Sequence, residues 1–408
     1  MSRLIAKWPQ YNNSLIGHDD GKILYKAIGL NLLLLYFFTG FMANFSELVA
    51  INNLILVCFC IYVTFKKHHR IRLFSPLILL YGTITIISIG NHLWWMSETG
   101  FIAGARTMPI VLLMMLACRL CTIPGLFERS TLVNTLPFAL LVPLGAHIEG
   151  GRFYSDFLNE GMQGWVFSLA YAIGLCSFFE KRFNWKTLIL LFVPLFFAFY
   201  AARRTLFVYF LVAPMILVIV GYLSNKIDTR KVLYSALLLI FTTAVLLPIM
   251  FNRQTDRFGD DFSLLNNISE FLSGDTTDRS SHERRAFIDI AFQSTSDHWL
   301  GYGNANFPYV VDSYGRIDVS RAGHPHSGLA ESLITAGYPG MILYFIMIFY
   351  LVRIGYQSPL MMLCVFWLFL EVFTETNLND RIMWPLMAIA EREIEISKLL
   401  GIRKKVDQ

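Results

Sequence analysis

Apolar residues come in runs of membrane-crossing length, one after another, and this limits the possible folds more than any single motif. The runs lie at about 27–45, 48–65, 74–93, 101–118, 131–148, 163–179, 187–202, 205–224, 232–251, 328–352 and 359–375. A twelfth, at 382–397, is interrupted by Glu391, Arg392, Glu393 and Glu395. A helix of about 20 apolar residues crosses the hydrocarbon core of a bilayer. Lipid supplies no partner for backbone N–H or C=O groups, so such runs must satisfy their own hydrogen bonds as helices. Only 15% of the chain is charged, against about 25% in soluble domains. With a mean hydropathy of +0.52 it could not be solvated as an ordinary globule. The expected fold class is an all-α polytopic membrane protein with about twelve transmembrane helices, residues 1–408 forming one transmembrane domain.

Charge then orients the spans. Lys66-Lys67-His68-His69-Arg70-Ile71-Arg72, Lys181-Arg182 with Lys186, Lys226 to Lys231, Arg353 and Arg403-Lys404-Lys405 share one side when the spans are counted in order. The positive-inside rule makes that side the cytoplasm, and an even number of spans leaves both termini there. Residues 91–100, 149–161 and the long segment 252–327 fall outside. That last segment is the only loop large enough for a subdomain. Its basic residues are all arginine: Arg253, Arg257, Arg279, Arg284, Arg285, Arg316 and Arg321. Within it, Phe287, Ile290, Ala291 and Ser294 share a helical face, which predicts a surface helix over 283–297 lying on the membrane domain. Gly301-Tyr302-Gly303-Asn304-Ala305-Asn306-Phe307 reads as a turn, with no strand before it to make a dinucleotide loop.

The formal charge of +5 is read as orienting the chain, with no nucleic-acid partner expected. Cys58, Cys60, Cys118, Cys121, Cys176 and Cys364 lie in or beside apolar runs and read as inert packing thiols, with no metal site expected. Residues 1–26 are polar and show no hydrophobic core of a cleavable signal peptide.

The chemistry is expected at His324-Pro325-His326-Ser327, where the long polar segment returns to an apolar run. Histidine exchanges a proton near neutral pH. Ser327 is a candidate N-cap for the following helix, which would set His326 at the positive end of the helix dipole. Such an imidazole can serve as a general base, or simply as a polar anchor at the membrane surface. His324 is separated from the helix start by Pro325. Arg203 and Arg204, between two spans on the outer side, run against the usual charge bias. Their forks suit the oxygens of a diphosphate, though pairing with an acid or reaching to lipid headgroups would also place them there. Arg284 and Arg285 open the outer helix beside Glu283 and Asp289, where surface salt bridges are the plainer reading. Glu331, Glu371, Glu375 and Asp380 with Arg381 sit at the outer ends of spans, as functional groups or as partners of the arginines. Gly337 and Gly340 would let another helix approach closely.

His326-Ser327, nine residues, then Gly337-x-x-Gly340 resembles the H-[NSQ]-x9-G-x-x-[GTY] signature of the O-antigen ligases. The context is similar too: about twelve spans, one large outer loop before the signature, and the glycine-rich element at 301–307 upstream. The similarity extends over roughly residues 190–350. The resemblance implies a membrane-embedded glycosyltransferase of GT-C type in the bacterial inner membrane. It would move a glycan from undecaprenyl diphosphate to the lipid A-core oligosaccharide on the periplasmic face, with no metal or cofactor. His326 would deprotonate the acceptor hydroxyl. The family's first phosphate-binding arginine falls on Arg204 or Arg203, and its second on Arg284 or Arg285, with Arg284 ranked first. Many members carry a tryptophan shortly after that second arginine, where this chain has Phe287. An O-antigen polymerase using the same donor is the nearest alternative. A transporter or flippase of lipid-linked glycan is the other, although it would favour polar groups at the bilayer midplane and two repeated halves.

Overall fold

The computed structural model of the chain describes residues 74–95, 106–122, 146–149, 152–155, 160–179, 185–201, 204–223, 279–304, 306–314, 325–374, 377–380 and 383–406. Almost all of these are helical. The helices are α1 Pro76–Trp94, α2 Thr107–Cys121, α3 Glu160–Phe179, α4 Trp185–Ala201, α5 Arg204–Leu223, α6 Arg279–Asp297, α7 Phe307–Tyr314, α8 Gly328–Gly355, α9 Pro359–Glu371 and α10 Met383–Val406. Two strands, β1 Ala146–Glu149 and β2 Arg152–Ser155, form an antiparallel pair with Glu149 opposite Arg152. The expected spans at 27–45, 48–65 and 232–251 lie outside the described residues, as do 131–145 of the fifth.

Serine and proline set where several helices begin. The Ser75 and Ser358 hydroxyls accept from the N–H groups of Ile78 and Met361 at 3.2 and 3.3 Å. Pro76 and Pro359 follow at the first helical position, where a missing N–H costs nothing. Helices α1 and α8 are each long and apolar enough to cross a membrane, while stretches of α2, α3, α5 and α9 form shorter apolar helices. Along the second half of α8, Ile342, Ile346 and Phe349 remain exposed at helical spacing, a stripe suited to lipid.

Two apolar clusters organise the packing. The larger runs through α1, α2, α3, α4, α5, α9, α10 and the second half of α8. The smaller is formed by Phe287, Ile290 and Ala291 of α6, Tyr302, Phe307, Val310 and Val311, and Ala330, Leu333 and Ile334 from the first turns of α8. Helix α8 packs on α1, α6 and α9, and α10 packs on α2. The face predicted for the outer helix is the one buried: Phe287, Ile290, Ala291 and Ser294 are each at most 1% exposed. Phe287 meets the Phe307 ring edge-on at 5.0 Å.

The structure corrects several boundaries. The expectation of an all-α fold gives way to a mostly helical one with a short hairpin, because Ala146–Glu149 is a strand rather than the tail of the fifth span. The run at 359–375 ends as helix at Glu371, and Glu375, expected to share its face, lies outside the described residues. The interrupted run at 382–397 is instead one helix of 24 residues. Its acids are tolerated because Arg119 of α2, fully buried, bonds Glu391 at 2.9 Å and both Glu395 oxygens at 2.6 Å. Tyr350 donates to Glu391 at 2.5 Å. Of the cysteines, Cys118, Cys176 and Cys364 are buried thiols.

Candidate functional site

Helix α8 begins where the sequence places the site, and it begins under tension. His326 has φ of 46°, the one positive-φ residue other than glycine among those described. Left-handed backbone costs a β-carbon-bearing residue about 1–2 kcal/mol, so something must hold it there. Ser327 does much of this. Its buried hydroxyl accepts from Ala330 N–H at 3.3 Å, as the predicted N-cap, and donates to the Val372 carbonyl at 3.1 Å. Leu329 N–H donates to the same carbonyl at 3.0 Å. His326 is therefore tied, through Ser327 and Leu329, to the end of α9. Its side chain is half-buried.

Glu331 lies one turn further in and is 5% exposed. Its Oε2 accepts from the N–H groups of Asn377 and Leu378 at 2.8 and 2.9 Å, and its Oε1 from the Asn379 side chain at 2.9 Å. Glu331 thus meets the turn between α9 and α10, in place of the expected partnership with an arginine. Asn379 and Asn304 exchange two side-chain hydrogen bonds, at 2.8 and 3.1 Å. Asn304 N–H in turn donates to the Ser88 hydroxyl at 3.0 Å, and its carbonyl lies 3.1 Å from His92 Nδ1. Asn377 accepts from the Tyr344 hydroxyl at 2.7 Å, and its carbonyl from Trp384 Nε1 at 2.8 Å. The ends of α1, α8, α9 and α10 and the glycine turn thereby meet in one polar lattice.

The two signature glycines have a different purpose from the one expected. Helix α8 is broken at Ala336 and Gly337, where φ is −140° and 64°. A β-carbon on Gly337 would lie 2.0 Å from the Trp299 carbonyl oxygen, so it is the turn after α6, rather than another helix, that approaches here. On Gly340 the added carbon would strike Ala336 of its own helix at 2.4 Å. The break and Pro339 strip three carbonyls of their helical donors, and each finds another. Leu333 accepts from Thr295 Oγ1 at 3.4 Å, Ile334 from Tyr302 and Gly303 N–H at 2.7 and 3.2 Å, and Thr335 from Asn91 Nδ2 at 3.3 Å. Tyr338 N–H, released in exchange, donates to Trp299 at 3.0 Å. Interrupted helix is tolerated at membrane depth only where protein supplies such partners. Gly301 and Gly303 keep the turn close, with φ of 84° and 92° and no room for a side chain against Ile334 or His92.

Around this centre the other expected residues are placed less fully. Arg204 opens α5, and Arg284 lies in α6; their backbones are described and their side chains are not. Arg285 is exposed on α6. Arg203, His324 and Arg381 lie outside the described residues. Asp380 caps α10, accepting from Met383 N–H at 2.7 Å. Asn304, Asn377, Asn379, Ser88, His92 and Tyr344 were not singled out in the sequence, since polar residues near span ends are common and their partners are far away in the chain. Among the described residues no group of three His, Cys, Asp or Glu gathers as metal ligands would.

Comparison with curated proteins found no match. A family description does fit it: residues 165–345 match the model of the family described as O-antigen ligase. The matched stretch runs from α3 into α8 and takes in the broken helix start, the glycine turn and the outer helix. Over these residues the chain is similar to the O-antigen ligase family, membrane-integral enzymes of glycosyltransferase character.

Proposed function

We propose that the chain is the ligase itself: an inverting, metal-independent transferase that joins a glycan carried on undecaprenyl diphosphate to the lipid A-core oligosaccharide, at the periplasmic face of the inner membrane. The strained backbone of His326 carries this reading, because an outlier held by its surroundings marks a position under functional constraint. An acceptor hydroxyl oxygen attacks the anomeric carbon, its proton passes to the His326 imidazole, and the bond from that carbon to the diphosphate oxygen breaks. Arg204 or Arg203, with Arg284 or Arg285, takes up the negative charge left on the lipid diphosphate, as fixed guanidiniums stabilise developing phosphate charge in place of a metal. Attack by the hydroxyl on the face opposite the leaving group inverts the anomeric configuration. The donor's lipid tail stays in the bilayer, which suits a site at the membrane surface.

The test uses purified protein, lipid-linked donor and rough lipopolysaccharide in the presence of a chelator, followed on gels. Wild type transfers glycan; His326→Ala and Arg204→Lys insert and accumulate but do not. Full activity in His326→Ala removes the imidazole from the chemistry. Growth of the lipid-linked glycan without rough lipopolysaccharide identifies a polymerase instead, and loss of transfer in the chelator overturns metal independence.

A further inference from the structure

We infer that Glu331 is a positioning residue for the transfer reaction: by gripping the Asn377–Asn379 turn, its carboxylate fixes the start of α8 and with it the place of His326. This rests on the proposed reading of His326 as the base. The argument begins with what the carboxylate touches. A buried carboxylate is costly unless hydrogen-bonded, and Glu331 is bonded on both oxygens by three N–H donors from one short turn. That turn follows directly from the end of α9, whose Val372 carbonyl anchors Ser327 and Leu329 on either side of Gly328.

Nothing in this corner has slack. A β-carbon on Gly328 would come within 2.8 Å of the Tyr344 hydroxyl and 2.9 Å of Asn377 Oδ1, so the residue two beyond His326 already touches the turn that Glu331 holds. Through Asn379 and Asn304 the same carboxylate is linked to the glycine turn and to the end of α1. Displacing the turn therefore moves both anchors of the histidine together. A glutamine has the same shape but offers one acceptor and one NH2 group. Whichever way it is turned, that NH2 faces a donor: either the Asn377 and Leu378 N–H pair or the Asn379 amide.

The experiment measures kcat and KM separately for Glu331→Gln, alone and combined with His326→Ala, in the purified assay. A shift of the base by an ångström costs about a hundredfold in rate. Glu331→Gln is expected to lose kcat on that scale while KM for the lipid-linked donor stays at its wild-type value. Where His326→Ala leaves a trace of transfer, adding Glu331→Gln lowers it no further, since a positioning residue has nothing left to position. Wild-type kcat in Glu331→Gln with His326→Ala inactive sinks this inference alone, as does a rise in KM with kcat intact or a further loss in the double variant. Full activity in His326→Ala sinks the reading of the site and this inference with it. If Glu331→Gln does not accumulate, Asn379→Ala takes its place, because it keeps the carboxylate and both backbone bonds. A smaller fall in kcat at unchanged KM supports the inference, and wild-type kcat overturns it.

Discussion

His326 and Gly337 both have positive φ, eleven positions apart in the sequence signature, for opposite reasons. The histidine is forced into that region by neighbours bonded to Val372, whereas the glycine is there because the Trp299 carbonyl occupies the space of a side chain. Gly337→Ala should therefore cost about 3 kcal/mol or more, since strain and a steric clash with backbone combine. Gly90→Ala, in the middle of a helix with nothing within 4 Å, should be neutral or stabilise by about 0.5–1 kcal/mol. Thermal unfolding of the two variants in detergent measures both. Equal melting temperatures would mean the turn does not press on α8 as described. At this scale the sequence was readable where chemistry is local. Ser327 as a cap and the buried stripe of α6 follow from spacing alone. The purpose of Gly337 was not readable, because a glycine in an apolar run looks the same whether a helix or a loop lies against it. Asn304 and Asn379 were hidden by the 75 positions between them.

Among the elements, α10 shows how a helix with charged residues remains packed. Met383–Ala390 are buried as apolar surface, and of the acids that follow, Glu391 and Glu395 pair with Arg119 of α2, 272 positions away from Glu391, while Glu395 also pairs with Arg392. Breaking a buried ion pair leaves a charge with no counterpart and costs about 3–5 kcal/mol, while replacing both members with apolar residues often costs little. Arg119→Met should therefore destabilise the protein by about that amount, and Arg119→Met with Glu391→Leu should recover part of the loss. Chemical denaturation in detergent reads the difference. An additive double variant would show that Arg119 and Glu391 act independently. This pair was not legible in the sequence, since the four charges in the run suggested only a broken span. The hairpin at 146–155 was likewise missed, its strands being four residues each beside a long apolar run.

Taken whole, the protein separates its polar groups by end. Asn91, His92, Asn304, Glu331 and Asn377 gather where α1 finishes and α8 starts, while Ser75, Arg119, Tyr350 and Glu395 lie where α1 starts and α8 nears its finish. Opposed ends of this kind are what alternating spans require, and they define a simple topology test. In a background lacking native cysteines, Trp299→Cys should react with an impermeant thiol reagent applied to the periplasm. Lys398→Cys should react only once the inner membrane is opened. Labelling of both from the same side would overturn the orientation taken from the basic loops.

The break in α8 also decides which half of that helix belongs to which neighbour. Ala330, Leu333 and Ile334 are packed with the outer helix and the glycine turn, whereas Tyr344, Met347 and Leu351 belong to the membrane core. Anyone exchanging outer segments between related proteins should cut at Gly337 rather than at the histidine. A graft ending at the earlier point would part these first turns from the companions they pack against.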